Sequence, residues 1–149
     1  MNVQKSPWKS LLFVAVQFLS LGVIGLTGPI FAENGWYFTL EIAGLALGVW
    51  AVLIMRPGNF NITPDPLKRS QLVKAGPYRF IRHPMYLALL LTTFPLILDS
   101  FSVIRLLFWI ILLADLVLKI QYEEKLLIAG VANYELYIKE SYRILPFIC

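Results

Sequence analysis

The chain has 149 residues, room for one domain rather than two. Hydrophobic residues make up 58% of it and charged residues only 15%, gathered in clusters that leave long uncharged stretches; an ordinary soluble domain is excluded. The net charge of +4 does not argue for nucleic acid, because the bases flank apolar runs, where anionic lipid headgroups attract them.

The first apolar run, Ser10 to Ala32, carries no charge and is long enough to cross a bilayer. It exceeds the apolar core of a secretory signal, so Lys5 and Lys9 before it predict a retained span rather than a cleaved leader. Gly22, Gly25 and Gly28 fall at helical spacing and predict close helix packing there. The second run, Trp36 to Met55, is interrupted only by Glu41. An ionisable group inside a span is costly, so Glu41 either lines a cavity or lies near enough to the interface to reach water. Trp8, Trp36, Tyr37, Tyr86 and Phe101 sit at run ends, where interfacial anchoring and plain packing both account for them.

Pro84 to Leu98 is apolar but short for a full crossing, and Asp99-Ser100 then breaks the pattern. Phe101 to Leu118 follows, with Arg105 near its start and Asp115 near its end. The two read as a helical hairpin turning near Asp99, its first arm tilted or stopping short. Loop bases set the orientation. Lys5, Lys9, Arg56, Lys68, Arg69, Lys74, Arg79, Arg82, Lys119, Lys125, Lys139 and Arg143 fall on one side, so both termini and the central loop are predicted to be cytoplasmic. In the tail, Tyr134, Tyr137 and Ile138 share one face, with Glu135, Lys139 and Glu140 elsewhere on the wheel, as in an amphipathic helix folded back on the bundle. The expected architecture is therefore all-α and polytopic. About four transmembrane helices, the last two a hairpin, precede a cytoplasmic amphipathic C-terminal helix in a single domain, 1–149.

The segment from Leu72 to Tyr86 is the densest in chemistry. Gly76-Pro77 predicts a turn, and Pro84 is a natural first helical residue with His83 at or near the N-cap. That helix start, flanked by Arg79 and Arg82, suits an anion; arginines before a membrane helix also simply meet headgroups, and the two readings stand level. Lys119 and Glu123 share a face, whereas Glu124 is rotated about 100° from Glu123, so one ligand does not meet both carboxylates equally. On its own this trio reads rather as a surface ion pair where a helix leaves the membrane. One His and the terminal Cys149 make no disulfide and no all-His/Cys zinc site, and no P-loop, G-x-G-x-x-G or G-x-S-x-G motif is present.

Taken together, Leu72-Val73, Gly76, Tyr78, Arg82-His83-Pro84, Tyr86, Glu123-Glu124, Tyr134, Tyr137 and Pro146 resemble the pattern of the isoprenylcysteine carboxyl methyltransferase and phospholipid methyltransferase family. The resemblance spans roughly Leu72 to Phe147, while 1–55 matches only as two generic spans. It implies S-adenosylmethionine as cofactor, bound by the 56–149 half, with Ser70, Gln71, Leu72, Val73, Tyr78, His83, Pro84, Met85 and Tyr86 around it and Glu123 closing the pocket. Arg82, Lys119 and Glu124 are the residues expected on the reacting side, and the acceptor is a lipid or lipidated small molecule drawn from the bilayer, with no metal and no nucleic acid involved. Lys119 stands where the family carries arginine, which keeps the charge but loses two-pronged carboxylate recognition. Ala88 replaces a glycine, and the segment around Val131-Ala132 is a residue short of the pattern. Two other classes share parts of these features: an NADPH-dependent sterol-reductase-like enzyme and a non-catalytic lipid-binding protein.

Overall fold

The structure, a computed structural model, describes residues 6–55 and 72–144. Among these residues it is all-helical: α1 (Pro7–Leu26), α2 (Gly35–Met55), a short 3₁₀ turn (Gly76–Arg79), α3 (Pro84–Asp99), α4 (Val103–Gly130) and α5 (Tyr134–Glu140). Two of these, α1 and α2, are long and apolar enough to cross a membrane.

Local sequence accounts for most helix ends. Pro7 and Pro84 occupy first helical positions, where the missing N–H would be unpaired anyway. The uncharged stretch predicted as one span to Ala32 stops being helical at Leu26, because Pro29 disfavours the helical conformation at Gly28 and cannot donate. Thr27 closes α1 by bonding Val23 O with both its N–H and its hydroxyl, at 3.1 and 2.6 Å. Asn133 enters α5 through a left-handed conformation (φ 63°), which asparagine tolerates better than most residues. α3, with 16 residues, is as short as its apolar run suggested and carries Pro95 inside it. α4 runs for 28 residues, about 42 Å at 1.5 Å each.

The helices pack as two pairs, α2 along α3 and α1 along α4, with a smaller seam between α3 and α4 and little direct contact between α1 and α2. Asp99 and Ser100 do turn the chain between α3 and α4, but the arms of that hairpin lean mainly on other partners. The α2–α3 contact is set by small residues. A Cβ on Gly44 would fall 2.6 Å from Thr92 Oγ1 and 2.7 Å from its backbone nitrogen, and one on Gly48 would meet the Ala88 methyl at 3.3 Å. Gly44 and Gly48 are a G-x-x-x-G pair that lets two backbones approach. Gly22 and Gly25, expected to do this, face open space, and the buried residues of α1 are Ser10, Ser20 and Ile24 instead. Ile24, Leu96, Ile97, Leu112 and Leu116 bury one another where α1, α3 and α4 meet. Outside this core the surface stays apolar: Trp8, Leu26, Trp36 and Leu53 are each more than 70% exposed, as lipid-facing residues are.

Polar side chains tie the loop end remote from α5. Arg105 is fully buried and donates to Ile24 O (3.1 and 3.0 Å), Pro29 O (2.9 Å), Leu96 O (3.0 Å) and Ser100 O (3.1 Å), satisfying carbonyls at the ends of α1 and α3. Gly28 lies against this guanidinium, leaving no room for a Cβ, which would be 2.8 Å from Nη1. Asp99 accepts from the Glu33 and Asn34 N–H groups at 2.7 and 3.1 Å, fixing the start of α2. Glu41 follows neither of its expected readings. It is buried, and its carboxylate accepts the Ala32 N–H at 3.0 Å rather than lining the cavity or reaching water.

Candidate active site

The turn that begins the site depends on Gly76. Its φ of +56° is strained for any side chain, and a Cβ would press to 2.9 Å from Ile54 on α2. The chain then passes through the 3₁₀ turn, keeps a helical conformation at Phe80 and reaches His83 through a single bridge residue, Ile81. There it pairs with the segment after α5: Tyr142 N donates to Phe80 O (2.8 Å), Arg82 N to Tyr142 O (2.8 Å) and His83 N to Arg143 O (3.2 Å). The hydroxyl of Tyr137 also donates to Tyr78 O, so α5 and its exit both fasten the His83 segment.

The two adjacent glutamates point into different surroundings, as a 100° rotation requires. Glu124 is buried and receives Arg82 Nε at 2.8 Å, Arg143 Nη2 at 3.0 Å and His83 Nε2 at 3.3 Å. Arg82 uses its remaining donors on Ile138 O (3.1 Å) and Ser141 O, drawing the end of α5 onto α3. Glu123 turns the other way and accepts the Tyr86 hydroxyl at 2.8 Å, with His83 Nδ1 3.8 Å away. The His83 ring stacks on Tyr86, 4° from parallel with centroids 5.4 Å apart. Over the Tyr86 ring also lies the Lys119 ammonium, 5.2 Å from its centroid, which donates to Gln17 Oε1 at 2.7 Å.

These groups open onto a cavity of about 680 Å³ between the two helix pairs. Its polar end holds Tyr78, Arg82, His83, Tyr86, Lys119 and Glu123; its apolar walls come from Phe18 and Leu21 on α1 and Leu45, Val49 and Val52 on α2. Pro84 and Met85 reach it as well. Leu72 and Val73 are half-buried but do not line it, Glu124 stands behind it, and Ser70 and Gln71 lie outside the described residues. Arg79, expected beside Arg82, is exposed and packs over Phe80 instead. Sequence reasoning missed Gln17, the G-x-x-x-G pair at 44–48, and Arg143 as a partner of Glu124. Gln17 was detectable as the one amide in an otherwise apolar run. No group of residues that could hold a metal ion is found among the described residues.

Electrostatics follow from this partition. Burial pushes the Glu124 carboxyl up, but hydrogen bonds from His83 and Arg82, and the charges of both, outweigh it and hold the group down at about 2. Burial, helped by Glu123 and Tyr137, drives the Tyr78 phenol well above its ordinary range, so it stays a neutral donor; its buried oxygen has no partner among the described residues. Tyr137 is pushed up to about 12, again chiefly by burial. A carboxyl depressed below its unfolded value of roughly 4.3 stabilises the fold fully above that pH and loses the contribution as pH falls toward the folded value. Protease protection of the α5 segment is therefore expected to hold above about pH 4.5 and fall between there and pH 2. Glu124→Gln should lack this component of the acid transition; an identical transition in the variant would contradict the assignment.

Helices around a cavity that is chiefly apolar but polar at one end define a class, membrane enzymes or carriers that take an amphiphile. The comparison with known families narrows it: residues 37–129, α2 through nearly all of α4, match the isoprenylcysteine carboxyl methyltransferase (ICMT) family. The chain belongs to that family, a family of methyltransferases, and its two long apolar helices agree with a membrane protein. No individual curated protein matches it.

Proposed function

We propose that the protein transfers a methyl group from S-adenosylmethionine to a lipid or lipidated small acceptor at the cytoplasmic face of a membrane. The observation that carries this reading is the single cavity joining the His83–Tyr86 segment and Glu123 to an apolar wall made by α1 and α2. All four long helices cross or enter the bilayer as one domain, with α5 on the cytoplasmic side. The charge pattern supports that orientation, because Arg105, the base at the far end, is spent on backbone carbonyls and leaves the exposed bases at the other.

The polar end of the cavity fits the cofactor. The Tyr78 hydroxyl is buried without a partner, and among the described residues no hydrogen bond reaches the second oxygen of Glu123. Glu123 accepts from hydroxyls or an ammonium, Tyr78 donates, and the faces of His83 and Tyr86 tolerate a sulfonium. When bound, the cofactor supplies a methyl group already activated by its sulfonium, so the protein's work is alignment and exclusion of water. Lys119 orients the acceptor. Arg82 and Glu124 are positioning residues that hold the tail against the site. The gap between α1 and α2 admits the acceptor's apolar part sideways from the bilayer.

Calorimetry with S-adenosylhomocysteine and with NADPH on the detergent-solubilised chain tests this. Binding of the first and not the second is expected; NADPH binding alone would move the protein to the reductase-like class, and neither to a lipid-binding role. Glu123→Gln should weaken S-adenosylhomocysteine binding about tenfold or more, the scale of a hydrogen bond to a charged group. Unchanged affinity would remove Glu123 from the pocket.

A further inference from the structure

Four bases lie around the turn that begins the site, and three of them are engaged within the protein. Lys74 pairs with Glu140 at 2.8 Å, and Arg82 and Arg143 both meet Glu124. Arg79 is the fourth. It is exposed, and among the described residues its guanidinium has neither a hydrogen-bond acceptor nor a carboxylate partner; it lies over the Phe80 ring, 5.7 Å from the centroid. Phe80 is itself 59% exposed although its backbone is fixed on both sides, its N–H donating to Pro77 O at 3.2 Å and its carbonyl accepting from Tyr142 N at 2.8 Å. A rigid turn thus presents one cation and one large apolar ring outward, and neither lines the cavity.

The turn sits at the end of an apolar helix. Gly76 packs against Trp50 and Ile54, close to where α2 ends at Met55. α2 has 21 residues, about 32 Å at 1.5 Å each, which matches the ~30 Å of a hydrocarbon layer. A crossing α2 places the turn where acyl chains meet headgroups. Trp8, 82% exposed, stands at the same end, since Ser6 N bonds the Tyr122 hydroxyl beside Glu123. Exposed aromatic rings concentrate at that boundary.

We infer that Arg79 and Phe80 form a docking site for an anionic phospholipid of the adjoining leaflet, with the guanidinium on its phosphate and the ring among its first acyl methylenes. The site goes beyond the methyl-transfer reading and needs only that α2 crosses the bilayer. A guanidinium meets phosphate oxygens through two parallel hydrogen bonds. A zwitterionic lipid carries the same phosphate but cancels its charge with an ammonium, so an arginine without a protein counter-charge discriminates against it. The contact holds the entry to α3 at a fixed depth and so sets where the polar end of the cavity stands relative to the headgroups.

The test is native mass spectrometry of the full chain released from neutral detergent micelles doped with equal phosphatidylglycerol and phosphatidylcholine. The wild type is expected to retain one phosphatidylglycerol in at least about fivefold excess over phosphatidylcholine, the scale of one base meeting an anionic leaflet. Arg79→Gln should abolish the preference, while Arg79→Lys, which keeps the charge but not the fork, should retain part of it. Phe80→Ser should lower retention of both lipids alike. Lys125→Gln, which removes an exposed base on α4, is expected to leave the preference intact. No preference in the wild type, a preference kept by Arg79→Gln, or an equal loss in Lys125→Gln overturns the site, the last by showing diffuse attraction only. S-adenosylhomocysteine affinity should be the same in every variant, which separates lost docking from misfolding. A wild type that holds the lipid but not S-adenosylhomocysteine would bring down the methyl-transfer reading and leave this site standing.

Discussion

Arg82→Met is expected to reduce methyl transfer at least about a hundredfold and to expose the segment after α4 to protease, because one side chain joins three parts of the site. Arg82 is 9% exposed, and its guanidinium meets Glu124, Ile138 O and Ser141 O together. Without it, the Glu124 carboxylate remains buried with only the half-exposed Arg143 and His83 as partners. Stranding a buried charge in this way costs about 3–5 kcal/mol, more than seven residues of α5 recover by packing Tyr134 and Tyr137. Once α5 lifts, the paired run at Phe80–His83 loses its neighbour, and His83 and Tyr86 are no longer held toward Glu123. Arg82→Lys is expected to recover only part of the loss, since a point charge cannot reach a carboxylate and two carbonyls at once. Limited proteolysis and S-adenosylhomocysteine calorimetry read both consequences. A variant with a protected tail and wild-type affinity would show that Arg82 is not the link.

The second large effect is expected at the other end of the molecule. Arg105→Leu should lower the thermal midpoint in detergent sharply or prevent accumulation of folded protein. The leucine fills space but leaves Ile24, Pro29, Leu96 and Ser100 carbonyls without their donor. Each buried group left unsatisfied costs about 1–3 kcal/mol, and Arg105 is fully buried, so water does not readily take its place. Whatever fraction folds should bind S-adenosylhomocysteine normally, because Arg105 touches the ends of α1 and α3 remote from the cavity's polar end. A variant with wild-type melting would mean that the carbonyls find other partners. A stable variant with altered cofactor affinity would assign Arg105 to the site.

Features governed by short-range rules were legible in the sequence. Pro84 starts a helix, Gly76-Pro77 turns the chain, Asp99-Ser100 ends α3, and the helical angle between Glu123 and Glu124 sends them to different partners. The approach of His83 to Glu123 was implied by the family resemblance, and the structure brings them to 3.8 Å. Partner choice between helices was harder, because it depends on surfaces far apart in the chain. Gly22 and Gly25 looked like a packing stripe but meet nothing, whereas Gly44 and Gly48 receive α3. Arg105 and Glu41 looked like breaks in apolar runs; each satisfies backbone groups of a loop whose path no local pattern reveals. Arg143 entered the site for the same reason, since pairing of 80–83 with 141–143 is a long-range event.

The divergence of Glu123 and Glu124 makes the phase of α4 a setting of the whole site. Deleting one residue between Lys119 and Glu123 would turn everything downstream by about 100° and shorten it by 1.5 Å. The carboxylate that meets Tyr86 and the one that meets Arg82 would both leave their partners, although no functional side chain had been removed. Spacing along this helix is thus as much a part of the chemistry as the identity of the residues it carries.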